Sequence, residues 1–92
     1  MKAALVSDVH SNLEALLAVE KSFGDLGVEK VCFVGDAVGY GPDPDACTEW
    51  IRQNAGMSVM GNHDFAAAGL ADVGSFNPNA RAAILWTMRH MK

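Results

Sequence analysis

Apolar positions along the chain fall into three short runs, each ending in a polar cluster, with stretches of helical spacing between them. Ala3 to Val6 is apolar without alternation, the pattern of a strand covered on both faces, and it stops at Ser7-Asp8. Ser11-Asn12-Leu13-Glu14 then fits a Ser-x-x-Glu capping box. Leu13, Leu16, Leu17 and Phe23 follow at helical intervals with Glu20 outward, so the spacing predicts a helix from Asn12 to Phe23, closed by Gly24 and Gly27. Lys30-Val31-Cys32-Phe33-Val34 reads as a second strand that stops at Gly35-Asp36.

Gly39, Gly41, Pro42 and Pro44 make the stretch from Ala37 to Asp45 an ordered loop. Asp43 caps a second helix with Pro44 at its first position; Trp50 and Ile51 form its buried face, and Asn54 to Gly56 ends it. A third apolar run, Met57-Ser58-Val59-Met60, leads into Gly61-Asn62-His63-Asp64. Beyond a Gly- and Ala-rich connection, Asn77-Pro78 starts a last helix in which Ala80, Ile84, Met88 and Met91 share one face. Strand, helix, strand, helix, strand, helix is an α/β pattern, a βαβαβα unit with a parallel sheet and right-handed crossovers. Residues 1–92 form one domain at most, and three strands are few for a stable sheet. The last helix or a missing partner must cover what this chain exposes.

Half of the residues are apolar, enough for a small core. Seven Lys and Arg stand against 11 Asp and Glu, a formal charge of -4, which argues against nucleic acid as a bulk partner. An acidic chain can still act on a phosphate ester when bound cations invert the local field. Cys32 and Cys47 form no C-x-x-C pair and read as buried thiols in a reducing compartment, so the expected location is the cytoplasm. The opening MKAALVSD is too short an apolar run for a secretory signal, and nothing anchors to or spans a membrane.

The chemistry-bearing residues sit just after each expected strand: Asp8 and His10, then Asp36, then Asn62, His63 and Asp64. In open parallel sheets that edge binds ligands, and strands roughly 5 Å apart would bring the three loops together. Clustered carboxylates need a shared proton or a cation, and a mixed oxygen and nitrogen set favours Mn, Fe, Zn, Ni or Co over Ca or Mg. Two ions need a bridging carboxylate, and Asp36 on the middle loop is the natural one. Asp64 is expected to accept local backbone donors. Tyr40 reads equally as a substrate-facing aromatic or a packed loop anchor. Trp50 and Trp86 read as core, and His90 as a solvated residue near a helix end. Asp43 and Asp45 favour a helix amino end by about 0.3 to 1 kcal/mol each.

Asp8-Val9-His10, Gly35-Asp36 and Gly61-Asn62-His63-Asp64 are similar in type, order and spacing to the D-x-H, G-D and G-N-H-[DE] motifs of calcineurin-like metallophosphoesterases. Val38-Gly39-Tyr40-Gly41-Pro42, Phe76-Asn77-Pro78 and Trp86-Thr87 resemble a small bacterial branch described as phosphodiesterases. The resemblance implies the amino-terminal half of a four-layer α/β/β/α sandwich. It implies two divalent metal ions, Mn favoured among Mn, Fe, Zn and Ni. Asp8 and His10 would hold the first, Asp36 would bridge and Asn62 would bind the second. His63 would be the catalytic residue beside the scissile phosphate of a small phosphoester, and a metal-bound hydroxide would be the nucleophile.

Two departures from the family pattern matter. Gly39-Tyr40-Gly41 stands where the Ser/Thr protein phosphatases carry Asp-Arg-Gly, which disfavours protein dephosphorylation. The sequence also has no late G-H-x-H, and His90 does not match one, so the chain reads as truncated relative to the family. The alternative function is therefore a non-catalytic metal-binding or oligomerising domain, with a homo-oligomer covering the apolar face that carries Met88 and Met91. A third reading, phosphotransfer through an aspartyl phosphate on Asp8 or Asp36, is weaker.

Overall fold

The strand Val28–Phe33 (β2) runs through the middle of a three-stranded parallel sheet, flanked by Lys2–Val6 (β1) and Met57–Ser58 (β3). The computed structural model describes residues 2–70 and 72–91. The helices are Leu13–Leu26 (α1), Pro44–Asn54 (α2), Asn62–Ala67 (α3) and Pro78–His90 (α4), with a 3₁₀ turn at Val73–Ser75 before α4. Order and direction agree with the α/β expectation, and β2 in the centre puts the Asp36 loop between the other two.

Register fixes what each face of the sheet carries. Val6 pairs with Phe33, and Phe33 with Ser58; one residue earlier, Leu5 pairs with Cys32, and Cys32 with Met57. Because side chains alternate across a strand, these sets lie on opposite faces. Phe33 buries against the helices with Leu16, Val38, Cys47, Trp50 and Ile51, while Val6 and Val31 pack on the same cluster. On the other face Leu5 is 75% exposed and Met57 71%. Coverage of β1 on both faces is thus not met among the described residues. An unbroken apolar run records that both faces are apolar, but not which segment covers them.

The first helix starts one residue later than the capping box implied. Asn12 is its cap, its Oδ1 accepting from the Ala15 N–H at 3.1 Å, while Ser11 is fully buried in the preceding turn. The helix runs through Gly24 and stops at Gly27, whose φ of 70° is left-handed. A glycine inside a helix costs only about 1 kcal/mol relative to alanine, whereas a left-handed glycine ends one. Glu20 is not simply outward: its Oε2 accepts from Trp50 Nε1 at 2.8 Å, tying α1 to α2. In α2, Cys47, Trp50 and Ile51 are buried as expected; Asp43 occupies the cap position without a side-chain capping bond.

Asn77 caps α4 through a bond from the Ala80 N–H at 2.9 Å. Its buried stripe is Ala80, Ile84 and Thr87, with the Thr87 hydroxyl donating to the Ala83 carbonyl. Met88 is exposed, so only the first two members of the expected stripe are buried. Trp86 is not a core residue either: it is half-buried and stacks on the His90 ring at 4.0 Å. Among the described residues no helix is long and apolar enough to cross a membrane.

Candidate active site

Backbone bonds hold the loop after β1 against the loop after β2. Asp8 N–H donates to Gly35 O at 2.9 Å, His10 N–H to Asp36 O at 3.0 Å, and Ser11 N–H to Ala37 O at 2.9 Å. The loop after β3 is fastened to the same place by one side chain. The Asp64 carboxylate accepts from the N–H groups of Asp36, Ala37, Val38 and Gly61 at 2.8 to 3.1 Å. Asp64 therefore has the backbone-accepting role expected of it. It also explains α3, where the sequence pattern presents a loop: Asp64 sits in the first turn and caps Gly61 from inside, while its other bonds anchor the turn to the loop after β2.

Among the described residues the non-glycine positions with positive φ are Asp8, His10, Ser11, Asp36 and Tyr40. All five belong to these loops. Left-handed backbone is unfavourable for residues with a Cβ and persists where surrounding structure enforces it, a pattern that concentrates at functional sites.

The enforced geometry brings ligand atoms of Asp8, His10 and Asp36 within 4.8 Å of one another. His10 Nδ1 donates to the Val38 carbonyl at 3.0 Å, which turns Nε2 toward Asp8 Oδ1 at 3.3 Å. A backbone acceptor on one ring nitrogen is the usual way of freeing the other for a metal. Asp8 is exposed, and the Ser7 hydroxyl, followed by His10, holds its carboxyl below the ordinary value. Asp36 Oδ1 accepts from the His63 N–H at 3.0 Å. A Cβ on Gly61 would fall 2.2 Å from that oxygen, so glycine is what lets the third loop approach. Two carboxylates and an oriented imidazole suit a divalent first-row ion.

Asn62 opens α3 at the same edge with its side chain in solvent. His63 is only 7% exposed. Its ring packs against His10 at 4.7 Å, Tyr40 at 4.9 Å and Phe76 at 5.2 Å. Its Nδ1 is buried without a hydrogen-bond partner and faces Gly39, where a Cβ would stand 2.4 Å away. Burial, then the neighbouring His10, lowers the His63 pKa below its ordinary value, against the opposing pull of Asp36, Asp64 and Asp8.

The sequence pattern alone gives Phe76 no role of its own and offers Ser11 only as a helix cap. Phe76 was present only as part of a resemblance motif; it closes the far side of the His63 ring. Ser11 is buried in the loop, its backbone N–H and C=O bonded to Ala37 and Asp43.

A parallel sheet with a carboxylate and imidazole cluster at the carboxyl ends of its strands makes this an α/β unit with a candidate metal site at its ligand-binding edge. The chain belongs to the calcineurin-like phosphoesterase family, whose model matches residues 1–89. It is 45% identical over 89 residues to an uncharacterized protein of Methanocaldococcus jannaschii, covering 97% of this chain and 37% of that one. It is also similar to the crystal structure of a metallophosphoesterase from Sphaerobacter thermophilus. That match has a TM-score of 0.81 and 44% identity, covering 100% of this chain and 37% of the other. The chain thus spans little more than a third of either relative.

Proposed function

We propose that this chain supplies the amino-terminal ligands of a dinuclear site that hydrolyses small phosphoesters. Asp8 and His10 would hold one ion, Asp36 would be shared, and Asn62 would hold the second. The observation that carries this reading is the convergence of Asp8, His10 and Asp36 at the strand ends. Two divalent ions, Mn favoured over Fe, Zn and Ni, would neutralise phosphoryl charge and acidify a water when bound.

The chain's own groups prepare that chemistry. His10 is locked with its proton on Nδ1 and its Nε2 lone pair toward Asp8. Asp36 is held by the His63 N–H, which fixes one carboxylate oxygen. For His63 the buried Nδ1 argues for a proton on Nε2, since the other tautomer would bury an unpaired N–H donor. His63 then offers its Nε2–H to a phosphoryl or leaving-group oxygen, and burial keeps the ring neutral until that oxygen arrives. A domain that only binds metal has no use for a histidine packed against the cluster in this way. We place the protein in the cytoplasm on its two free thiols.

The test is metal content of the purified chain, with hydrolysis of a generic phosphodiester in added Mn, for wild type and Asp36→Asn. Wild type should bind Mn and turn over, and the variant should lose both. A variant that keeps wild-type metal and turnover removes Asp36 from the site. Mn that binds without turnover reduces the chain to a metal-binding domain.

A further inference from the structure

Tyr40 is the chain's single tyrosine, and its surroundings are at odds with a packing role. It stands 54% exposed on a left-handed backbone with φ of 64°. Glycines on both sides make that position attainable. A Cβ on Gly39 would strike the His63 ring, and one on Gly41 would lie 2.5 Å from the His10 carbonyl, whose oxygen accepts the Gly41 N–H at 2.9 Å. The Tyr40 ring is edge-on to His10 at 5.1 Å and tilted against His63 at 4.9 Å. A residue serving only to anchor the loop would bury its ring. Here three consecutive positions hold an aromatic ring in solvent beside the metal ligands.

A cleft of about 440 Å³ opens there, lined by Asp8, His10, Asn12, Glu14, Tyr40 and Pro42 among others. That volume suits a small organic group. Its chemistry is selective: the phenol ring and Pro42 are apolar, while Glu14 adds a carboxylate to the wall. Such a wall repels a second phosphate and accepts hydrogen bonds from hydroxyl or amino groups.

We infer that Tyr40 is a stacking platform for the alcohol portion of the substrate, and that this portion is a nucleoside whose planar base lies on the phenol ring. The inference rests on the phosphoesterase reading of the site and narrows it to nucleoside phosphoesters, excluding polyphosphates and aliphatic esters.

Because Tyr40 is the single tyrosine, selective ¹³C-tyrosine labelling reports on it alone. Mn added to the 92-residue chain should broaden its ring signals. In the Zn-loaded chain, AMP should move those signals upfield through the ring current of the base, while ribose 5-phosphate and inorganic phosphate leave them near the Zn-only position. By calorimetry, the affinity ratio of AMP over ribose 5-phosphate should fall about ten-fold in Tyr40→Leu and persist in Tyr40→Phe. Equal responses to all three ligands, with Mn broadening intact, overturn the stacking role and leave the metal site standing. Absence of Mn broadening removes the metal site, and the inference with it.

Discussion

The carboxyl edge of the sheet and its uncovered face come from the same three strands, yet they are held in opposite ways. At the edge, left-handed residues, interloop N–H···O bonds and one carboxylate with four donors fix every chemistry-bearing loop. On the face, Leu5, Cys32 and Met57 stand in register, and the helices pack on the other side. The contrast teaches that order at the site does not depend on the sheet being covered on both sides. It is carried by hydrogen bonds between loops, which are local to the edge, and by the helix-side core beneath them.

Asp64 is where the edge is most vulnerable, so Asp64→Ala has the largest expected effect of any change at the edge. Four backbone donors lose their acceptor together, and bonds to a charged group are each worth about 1.5 to 3 kcal/mol before solvent replaces part of them. A loss of about 4 kcal/mol is expected, a large share of the stability of a small domain. Urea denaturation of metal-free protein measures it, and Asp64→Asn, keeping one acceptor oxygen, should recover part of the loss. A cost below about 1 kcal/mol for the alanine variant would mean that the loops hold without this carboxylate.

The two regions also differ in how far they could be read from residues alone. The order of elements along the chain, the parallel sheet and the convergence of Asp8, His10 and Asp36 follow from apolar runs that each end in a polar cluster and alternate with helical spacing. Helix α3 did not, because Asn62, His63 and Asp64 are weak helix formers, and what holds them is the bonding of Asp64 to Gly61 and to the loop after β2. The cap of α1 was misplaced by one residue because Ser11 and Asn12 are both capping types. Only the left-handed turn that buries Ser11 selects Asn12. The open face was hidden for a different reason: periodicity registers that Leu5 and Met57 are apolar but carries no information about what packs on them.

The two cysteines report on the two sides of the sheet. Cys47 is fully buried among the helices, and burial, followed by the charges of Asp43 and Glu14, raises its thiol to about 11. Cys32 is half-buried between Leu5 and Met57 on the uncovered face. In the folded protein Cys32 should react with a thiol reagent, and Cys47 should react only on unfolding. The Cys47 shift also sets a pH window. The folded thiol keeps its proton to about 11 while the unfolded one releases it above about 9, so stability is intact below pH 9 and falls as pH rises toward 11. The loss is on the order of 2 kcal/mol. Cys47→Ala adds a constant offset from the missing sulfur but should remove its share of the slope between pH 9 and 11. An unchanged slope would assign the pH dependence to other groups.

The smallest expected effect separates the two regions most cleanly. Leu5→Lys places a charge on the uncovered face, where the leucine is already 75% exposed. If helices on one side and hydrogen bonds at the edge hold the fold, the change in stability stays within about 0.5 kcal/mol. Phe33→Ala, one register step away on the helix side, should cost about 3 to 5 kcal/mol. Running both at several protein concentrations tells whether the face is open in solution. A Leu5→Lys penalty that grows with concentration, together with a wild-type midpoint that rises with it, would show that a second copy covers the sheet, since association stabilises by mass action. A penalty that is small and independent of concentration would show that the site edge is ordered by one chain whose apolar sheet face remains available to another segment.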